Sequence, residues 1–152
     1  SKAAALENNH FQSTNTEYPI HKQFVLDANR LQVIYHFSAK MAHVFITEIN
    51  LAMPSCDGVG ARYRHQGEIL GGLGQALELK NIDAIALDDD TLGGNVALTV
   101  SSPVTLRAHP HFSVSQSESG FEKIMQAVTL QLEWPIVTQE LIITLEINAR
   151  DH

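Results

Sequence analysis

Residues 126–149 read QAVTLQLEWPIVTQELIITLEINA and decide the fold class of this 152-residue chain. Apolar and polar side chains alternate in two runs, one on each side of Pro135. Because successive side chains of a strand point to opposite faces, this period of two predicts one buried face and one wet face in each run. Two such runs separated by a short break predict a pair of adjacent antiparallel strands. The apolar positions are Val128, Leu130, Leu132 and Trp134 in the first run and Leu141, Ile143, Leu145 and Ile147 in the second.

The same strand-like texture recurs along the chain at intervals of about ten residues, with Gly, Pro, Asp and Asn between the runs. Short strands at that spacing, joined by turn residues, are typical of sandwiches and barrels. We therefore predict a mainly β, single-domain antiparallel β-sandwich or barrel. The further predicted strands include residues 31–37, 43–53, 83–87, 96–100, 104–108 and 111–115.

Three stretches depart from this pattern. Residues 1–17 are polar and lack apolar periodicity, which predicts a flexible N-terminal arm and leaves residues 18–152 as the β-rich domain. Residues 61–80 favour strand, glycine turn and strand over helix, because each internal glycine of a helix costs about 1 kcal/mol. Residues 121–128 follow a helical spacing, so one or two short helices are expected beside the strands.

Charge and composition restrict the classes of partner. The formal net charge is -7, and the ten Lys and Arg residues are scattered rather than clustered. Contact with a phosphate backbone needs clustered cations, so nucleic acid is not an expected partner. No run of apolar residues is long enough for a membrane span, and the mean hydropathy of -0.06 is that of a soluble protein. A cytoplasmic location is slightly favoured, although the chain begins at Ser1 without a methionine, so the lack of a signal sequence carries little weight.

The sharpest chemical signal is His109-Pro110-His111. On a strand, positions two apart face the same side, so both imidazoles are placed to reach one metal ion. A metal site needs further ligands, and the candidates are His36, His43, His65 and Glu118. The expected cofactor is none, and the alternative is zinc or another divalent transition metal bound at these histidines.

Other motifs fit structural roles better than chemical ones. Asp88–Asp90 lacks the acid spacing of a calcium loop and favours a solvated hairpin turn. Gly72-Leu73-Gly74 lacks the third glycine of a dinucleotide-binding loop and favours a bend or a bulge. Trp134 is in phase with a buried run and is expected in the core. Cys56 is the only cysteine, so no internal disulfide forms, and a small buried hydrophobe is the expected role.

The leading functional prediction is a non-catalytic β-rich module that binds or assembles through protein-protein contacts. It rests on the lack of an assembled catalytic motif, so an enzyme is not favoured, and on the C-terminal strand. At a sheet edge, the segment that holds Leu141, Ile142 and Ile143 would need cover from a partner, which predicts a homo-oligomer or a hetero-complex. One alternative is a metal- or small-ligand-binding β-barrel, with or without catalysis, that uses His109 and His111. The other is an acidic surface that docks a basic partner.

Overall fold

The structure of the protein, a computed structural model, describes the backbone of residues 2–6, 10–15, 20–37, 44–135 and 140–150. Side chains are described in the last three of these ranges. Every regular element in the described ranges is a β-strand, which confirms the mainly β, antiparallel prediction. The strands are β1 Lys2–Leu6, β2 His10–Asn15, β3 Ile20–Asp27, β4 Arg30–Phe37, β5 Phe45–Leu51, β6 Ala61–His65, β7 Glu68–Gly72, β8 Leu77–Asp89, β9 Gly94–Ser117, β10 Gly120–Trp134 and β11 Glu140–Ala149.

The short helices expected from the sequence are absent from the described residues, so that part of the prediction is wrong there. Residues 121–128, whose spacing suggested a helical turn, form part of β10. In 61–80 the structure has strands and turns rather than a helix, as the sequence predicts, but there are three strands, β6, β7 and the start of β8, and Gly71 and Gly72 lie in β7 rather than in a turn. The described part of the chain also has no helix long and apolar enough to cross a membrane.

The long strand β9 belongs to both layers of a sandwich. Its residues 94–100 pair with β11, its residues 105–117 pair with β10, and β8 follows it from residue 94 to residue 108. One layer therefore runs β1-β2-β3-β4-β11-β9-β8-β6-β7, and the other contains β5, β10, the second half of β9 and the first residues of β8, which pair with that half. Strands that pass from one sheet to the other make the corners of such packings.

The corner of β9 lies at residues 101–103, which have no partner in the ladders with β8, β10 or β11. Pro103 is tolerated there because it has no ladder hydrogen bond to lose. On the neighbouring strand the register shifts on both sides of Ile82, and Asn81 has a positive φ of 56°. These irregularities turn β8 together with β9.

Aromatic rings join the two layers. Phe45 stacks on Trp134 with ring centroids 5.8 Å apart, and the Tyr35 ring meets Phe45 edge-on at 5.0 Å. Trp134 is only 1% exposed, as its phase in the sequence predicts, and its Nε1 donates to the carbonyl of Ser102 at 3.0 Å. The hydrogen bond satisfies the indole N–H while the ring fills the core.

The two runs that decide the fold class are not neighbours. The sequence predicts adjacent antiparallel strands, but β10 pairs with β5 and β9, whereas β11 pairs with β4 and β9. The pairing prediction is wrong because β9 is long enough to pair with both runs. Its first half pairs with β11, and its second half pairs with β10. Strand pairing between distant segments leaves no mark in the local period of either segment.

The N-terminal range holds more backbone structure than its composition suggests. Where residues 1–17 predict a flexible arm, β1 pairs with β2, and β2 pairs with β3. Main-chain hydrogen bonds extend the first layer past β3 without an apolar period. The domain boundary at residue 17 stays a prediction.

Candidate functional site

His109 and His111 lie on one face of β9, opposite Thr129 and Ala127 of β10. Both imidazoles are exposed on the outer surface of the second layer. Their shared face agrees with the sequence argument. A metal ion held there still needs a further protein ligand.

His36 does not supply that ligand. It lies on the outer face of β4 in the first layer, with its Nδ1 3.4 Å from Glu140 Oε2 and its ring centroid 6.1 Å from that of His21. The core separates this surface from that of His109 and His111. His43 lies outside the described residues, and within the described ranges no three metal-ligating side chains converge. Zinc, or another divalent transition metal, at His109 and His111 stays a prediction.

The carboxylate of Asp89, at the end of β8, is fully buried. Its Oδ2 accepts the backbone N–H of Ser55 at 2.8 Å, and its Oδ1 accepts the Ser55 hydroxyl at 2.5 Å and the backbone N–H of Leu92 at 2.9 Å. Ser55 Oγ also accepts the backbone N–H of Thr91 at 3.2 Å. We call Ser55, Asp89, Thr91 and Leu92 the Asp89 cluster. It ties the loop after β5 to the turn between β8 and β9.

The hydrogen bonds of this cluster control the charge of Asp89. Burial tends to raise its pKa, but hydrogen bonds from the Ser55 hydroxyl and from the backbone N–H groups of Ser55, Leu92 and Thr91 outweigh burial and hold that pKa below its ordinary value. The carboxylate is therefore ionised at neutral pH. Because all its contacts are donors from the loop and the turn, its role is to anchor them.

The other two acids of the Asp88–Asp90 run are engaged by arginines. Asp88 Oδ2 accepts Arg64 Nε at 2.9 Å. Asp90 Oδ1 accepts Nη2 of Arg150 at 2.5 Å and lies 3.4 Å from Nη2 of Arg62. The three carboxylates thus point to three different sets of donors rather than to a shared cation. Asp88 and Asp89 are buried at the end of β8, so the prediction of a solvated turn is wrong for these two residues, because donors from other elements hold them.

A second group of charges lies on the outer face of the other layer. Arg107 Nη1 donates to Glu133 Oε2 at 2.6 Å, and its Nε donates to Glu78 Oε2 at 2.9 Å. These hydrogen bonds, that with Glu133 first, raise the pKa of Arg107 above its ordinary value. Acid-base catalysis needs one carboxyl that keeps its proton. Two carboxylates that share an arginine instead form an ion-pair bridge across β8, β9 and β10.

Among the hollows on the described surface are a groove and a smaller hollow. The groove, of about 540 Å³, is lined by Arg62, Gln75 and several glycines, and the smaller hollow, of about 300 Å³, has a floor of alanines beside His65. The Nδ1 of His65 is already 2.9 Å from the carbonyl of Ala84. Neither hollow is lined by Trp, Tyr or Phe, so neither offers an aromatic face on which a ring-shaped ligand stacks.

The residues predicted to contact a partner lie on an internal strand. β11 is hydrogen-bonded to β4 on one side and to β9 on the other. Leu141 and Ile143 are each 1% exposed in the core, whereas Ile142 is half-buried on the outer face. Partner contact at these three residues stays a prediction, and Ile142 is the one among them whose side chain reaches the outer surface.

Sequence reasoning missed the partner of Asp89. Ser55 lies 34 positions earlier in the chain, in a loop whose composition indicates only a turn. Contacts across that distance depend on how the two layers fold together. The single local signal was the acid run that precedes two glycines by two residues, and it predicts the turn but not what the turn binds.

Comparison with known proteins identifies what this fold resembles. The family described as Alpha-amylase/4-alpha-glucanotransferase, C-terminal, matches residues 4–147. The crystal structure of 4-alpha-glucanotransferase from Thermococcus litoralis is similar, with a TM-score of 0.57 and 19% sequence identity over 98% of this chain and 22% of that chain. This chain thus spans about a fifth of that protein's length. No curated protein sequence matches it.

The family match overturns the leading functional prediction. A module that acts through protein-protein contacts was inferred from the lack of a catalytic motif, whereas the matched family consists of domains of carbohydrate-active enzymes. The inference was wrong because a domain without a catalytic motif is not thereby a protein-binding module. Function resides in sites carried by a fold, and those sites need not all lie in one domain.

Proposed function

We propose that this chain, which belongs to the Alpha-amylase/4-alpha-glucanotransferase C-terminal family, is the β-sandwich domain of an enzyme that hydrolyses or transfers α-glucan. The catalytic carboxylates come from the part of the enzyme outside this chain. The domain itself contributes a rigid two-layer body on which that part is held. The family match over nearly the whole chain is the observation that carries the proposal.

The chemistry of the described carboxylates supports this division of labour. Glycoside cleavage and transfer use a pair of carboxyl groups, one of which gives a proton to the leaving oxygen. Where carboxylates cluster in the described ranges, at Asp88–Asp90 and around Arg107, each one is held by an arginine or by N–H and O–H donors. Such carboxylates are suited to ion pairing rather than to proton donation.

The small share of the similar structure that this fold occupies also supports the proposal. The fold shared with this chain occupies a small part of that 4-alpha-glucanotransferase chain. An enzyme of that kind has ample polypeptide outside the β-sandwich for a substrate cleft and its acids. Neither described hollow has the aromatic lining that would favour this domain as the main glucan site.

The proposal is tested by following the products formed from maltoheptaose. The substrate is incubated with the complete polypeptide that carries this chain and, in parallel, with the 152-residue chain alone. We expect the complete polypeptide to yield shorter glucans, and longer ones where it transfers, whereas the chain alone leaves maltoheptaose unchanged. A β-linked glucan of the same length is the control substrate and should remain intact in both.

Two results would overturn the proposal. If the complete polypeptide leaves every α-glucan unchanged, the assigned substrate class is wrong. If the 152-residue chain alone converts maltoheptaose, the catalytic carboxylates lie in this domain and the division of labour is wrong.

A further inference from the structure

The end of β9 and the start of β10 form a two-stranded ribbon that projects from the sandwich. We define the ribbon as residues 109–117 and 120–127. The ladder between β8 and β9 reaches no further than Ala108, and the ladder between β5 and β10 begins at Val128. In the described structure the ribbon strands therefore pair only with each other.

One face of the ribbon, which we call the inner face, continues the core. Residues opposite each other in an antiparallel pair share a face, and alternate residues along a strand do too. The buried residues Leu106 and Ala108 of β9 thus fix the side on which the following even-numbered positions lie. The inner face consists of Phe112, Val114 and Gln116 on β9 and Phe121, Lys123 and Met125 on β10.

A bulge keeps β10 in phase with this face. The register shifts between Met125, which pairs with Phe112, and Ala127, which pairs with His111. The extra residue, Gln126, is taken up by the bulge and its Nε2 donates to Ser113 Oγ on the outer face at 3.0 Å. In a regular strand Met125 and Val128 would point to opposite sides, so the bulge is what holds both on the inner side.

The rest of the described structure covers the inner face only at the base of the ribbon. At the base Met125 is 5% exposed, its carbonyl lies 3.7 Å from Cys56 Sγ, and Phe112 packs against the core. Nearer the tip Val114 is 69% exposed and Phe121 is 78% exposed. The apolar face therefore runs on beyond the part of the molecule that covers it.

The outer face shows what a solvated ribbon surface looks like in this chain. It carries Ser113, Ser115 and Ser117, with Glu122 3.3 Å from Ser117 Oγ, and one large apolar residue, Ile124, which is 42% exposed and therefore less exposed than Val114 and Phe121 of the inner face. A ribbon that is wet on both sides has no physical need for this asymmetry, and an isolated two-stranded hairpin is marginal in water. An apolar face set against a polar one indicates that the inner face packs on something.

We propose that the inner face of the ribbon, centred on Val114 and Phe121, docks on the catalytic part of the enzyme that carries this domain. The inference rests on the proposed function. In the similar 4-alpha-glucanotransferase most of the polypeptide lies outside the shared fold, so a large body of the same chain is available as the partner. A second copy fits less well, because it brings two chains of net charge -7 together.

Docking of this kind joins the domain to the catalytic part by a hydrophobic contact. Phe121 and Val114 fill the contact, and Lys123, whose Nζ lies 4.1 Å from the centroid of the Phe112 ring, lies between the exposed tip and the covered base. The bulge holds Met125 and Val128 on the inner side, and the loop that holds Cys56 contacts the base of the ribbon. The ribbon therefore sets the orientation of the β-domain relative to the active site.

Hydrogen exchange tests the docking directly. Amide exchange in residues 112–116 and 121–125 is measured in the complete enzyme and in the 152-residue chain, at several concentrations. We expect exchange in these segments to be about tenfold slower, or more, in the complete enzyme, because the ribbon no longer opens freely there. Equal exchange in both proteins overturns the inference. Protection of the isolated chain that grows with its concentration identifies a second copy as the occupant and also overturns it.

Variants supply a matched comparison. In the complete enzyme Phe121→Asp should raise ribbon exchange to the rate seen in the isolated chain, while Ile46→Asp should not. Ile46 is 48% exposed on β5 and pairs with Glu133, close to the end of β10 that lies away from the ribbon. If both variants leave ribbon protection unchanged, Phe121 is not in the contact and the proposal is wrong.

The exchange experiment separates this inference from the proposed function. A complete enzyme that converts maltoheptaose but leaves the ribbon unprotected rejects the docking and keeps the function. A complete polypeptide that protects the ribbon but acts on no α-glucan keeps the docking and rejects the function.

Discussion

At the scale of single residues, the buried carboxylate of Asp89 holds the loop after β5 against the turn before β9. Replacing it by asparagine removes the charge and sets an amide NH₂ against N–H donors. We expect Asp89→Asn to lower the free energy of unfolding by about 1–3 kcal/mol, the range for a buried polar group left without its partners. Urea unfolding at neutral pH measures it.

The pH dependence provides the control for this prediction. The pKa of Asp89 is lower in the folded state than in the unfolded chain, so its contribution is complete above about pH 4 and is lost as pH falls below that value. Asp89→Asn should lack this part of the acid destabilisation. Asp90→Asn, which alters exposed ion pairs with Arg62 and Arg150, should cost less than about 1 kcal/mol. Equal losses in the two variants would contradict the anchoring role of Asp89.

Tyr63 presents the opposite case, a buried group that costs free energy. It is 1% exposed, and its hydroxyl has no hydrogen-bond partner among the described residues. Removing an unpaired buried hydroxyl relieves its desolvation, so Tyr63→Phe should raise the free energy of unfolding by about 1 kcal/mol. Tyr35→Phe is the matched control, because Tyr35 Oη lies 3.0 Å from Thr47 Oγ1, and it should lower that free energy by about 1 kcal/mol.

Alkaline titration checks the same residue independently. Burial raises the pKa of Tyr63 to about 12. The folded state thus favours the neutral phenol, and that contribution is lost as pH rises from about 10, the unfolded value, towards 12. Tyr63→Phe should lose less stability over this range than the unmodified protein. A destabilised Tyr63→Phe would instead show that the hydroxyl is paired.

At the scale of elements, the bulge in β10 explains why the sequence suggested a helix. Phe121, Met125 and Val128 are spaced by four and then three positions, as on a helical face. In the strand, four positions are two full periods, and the bulge at Gln126 absorbs one residue, so all three lie on the inner side. A strand with a bulge and a helical turn thus produce the same spacing, and the period alone does not separate them.

This account predicts that a deletion inside a strand is tolerated. Without Gln126, Met125 and Ala127 become consecutive and keep their partners Phe112 and His111, so the faces of the ribbon are unchanged. The deletion should alter the free energy of unfolding by less than about 1 kcal/mol, since only an exposed hydrogen bond is lost. Thermal unfolding measures it.

Deleting Gln131 is the control for that experiment. Gln131 lies in a regular part of β10, between the fully buried Leu130 and Leu132. Its loss turns one half of the strand's apolar side chains away from the core, which should abolish cooperative unfolding. If removal of Gln126 is as damaging as removal of Gln131, the bulge is not what sets the phase.

Strand existence could be predicted from the sequence, but strand extent could not. Pro103 and Pro110 divide residues 96–115 into three predicted strands, yet β9 is one continuous strand. Pro103 lies at the unpaired corner, and Pro110 lies beyond the last residue paired with β8. Neither proline lies in the ladder with β8, although Pro110 is opposite Val128 in the ladder with β10, and these placements are a property of the neighbouring strands rather than of the prolines.

At the scale of the whole molecule, the alternation in 126–149 was sufficient for the fold class and insufficient for the function. Each apolar run shows which face is buried, but the half of β9 that it pairs with depends on the whole topology. The family match extends over residues 4–147 and does not depend on a short catalytic motif. A search for short chemical motifs therefore finds His109 and His111. The relation to the matched family depends instead on the sequence pattern of residues 4–147 as a whole.

The central claim is that this domain belongs to an α-glucan enzyme whose catalytic carboxylates lie elsewhere. Enzymes that cleave and transfer with retention form a covalent glycosyl ester on one carboxylate. A fluorinated α-glucosyl fluoride that accumulates this ester, followed by peptide mass spectrometry of the complete enzyme, locates that carboxylate. The account predicts a labelled Asp or Glu outside these 152 residues, and a label on any Asp or Glu within them would contradict it.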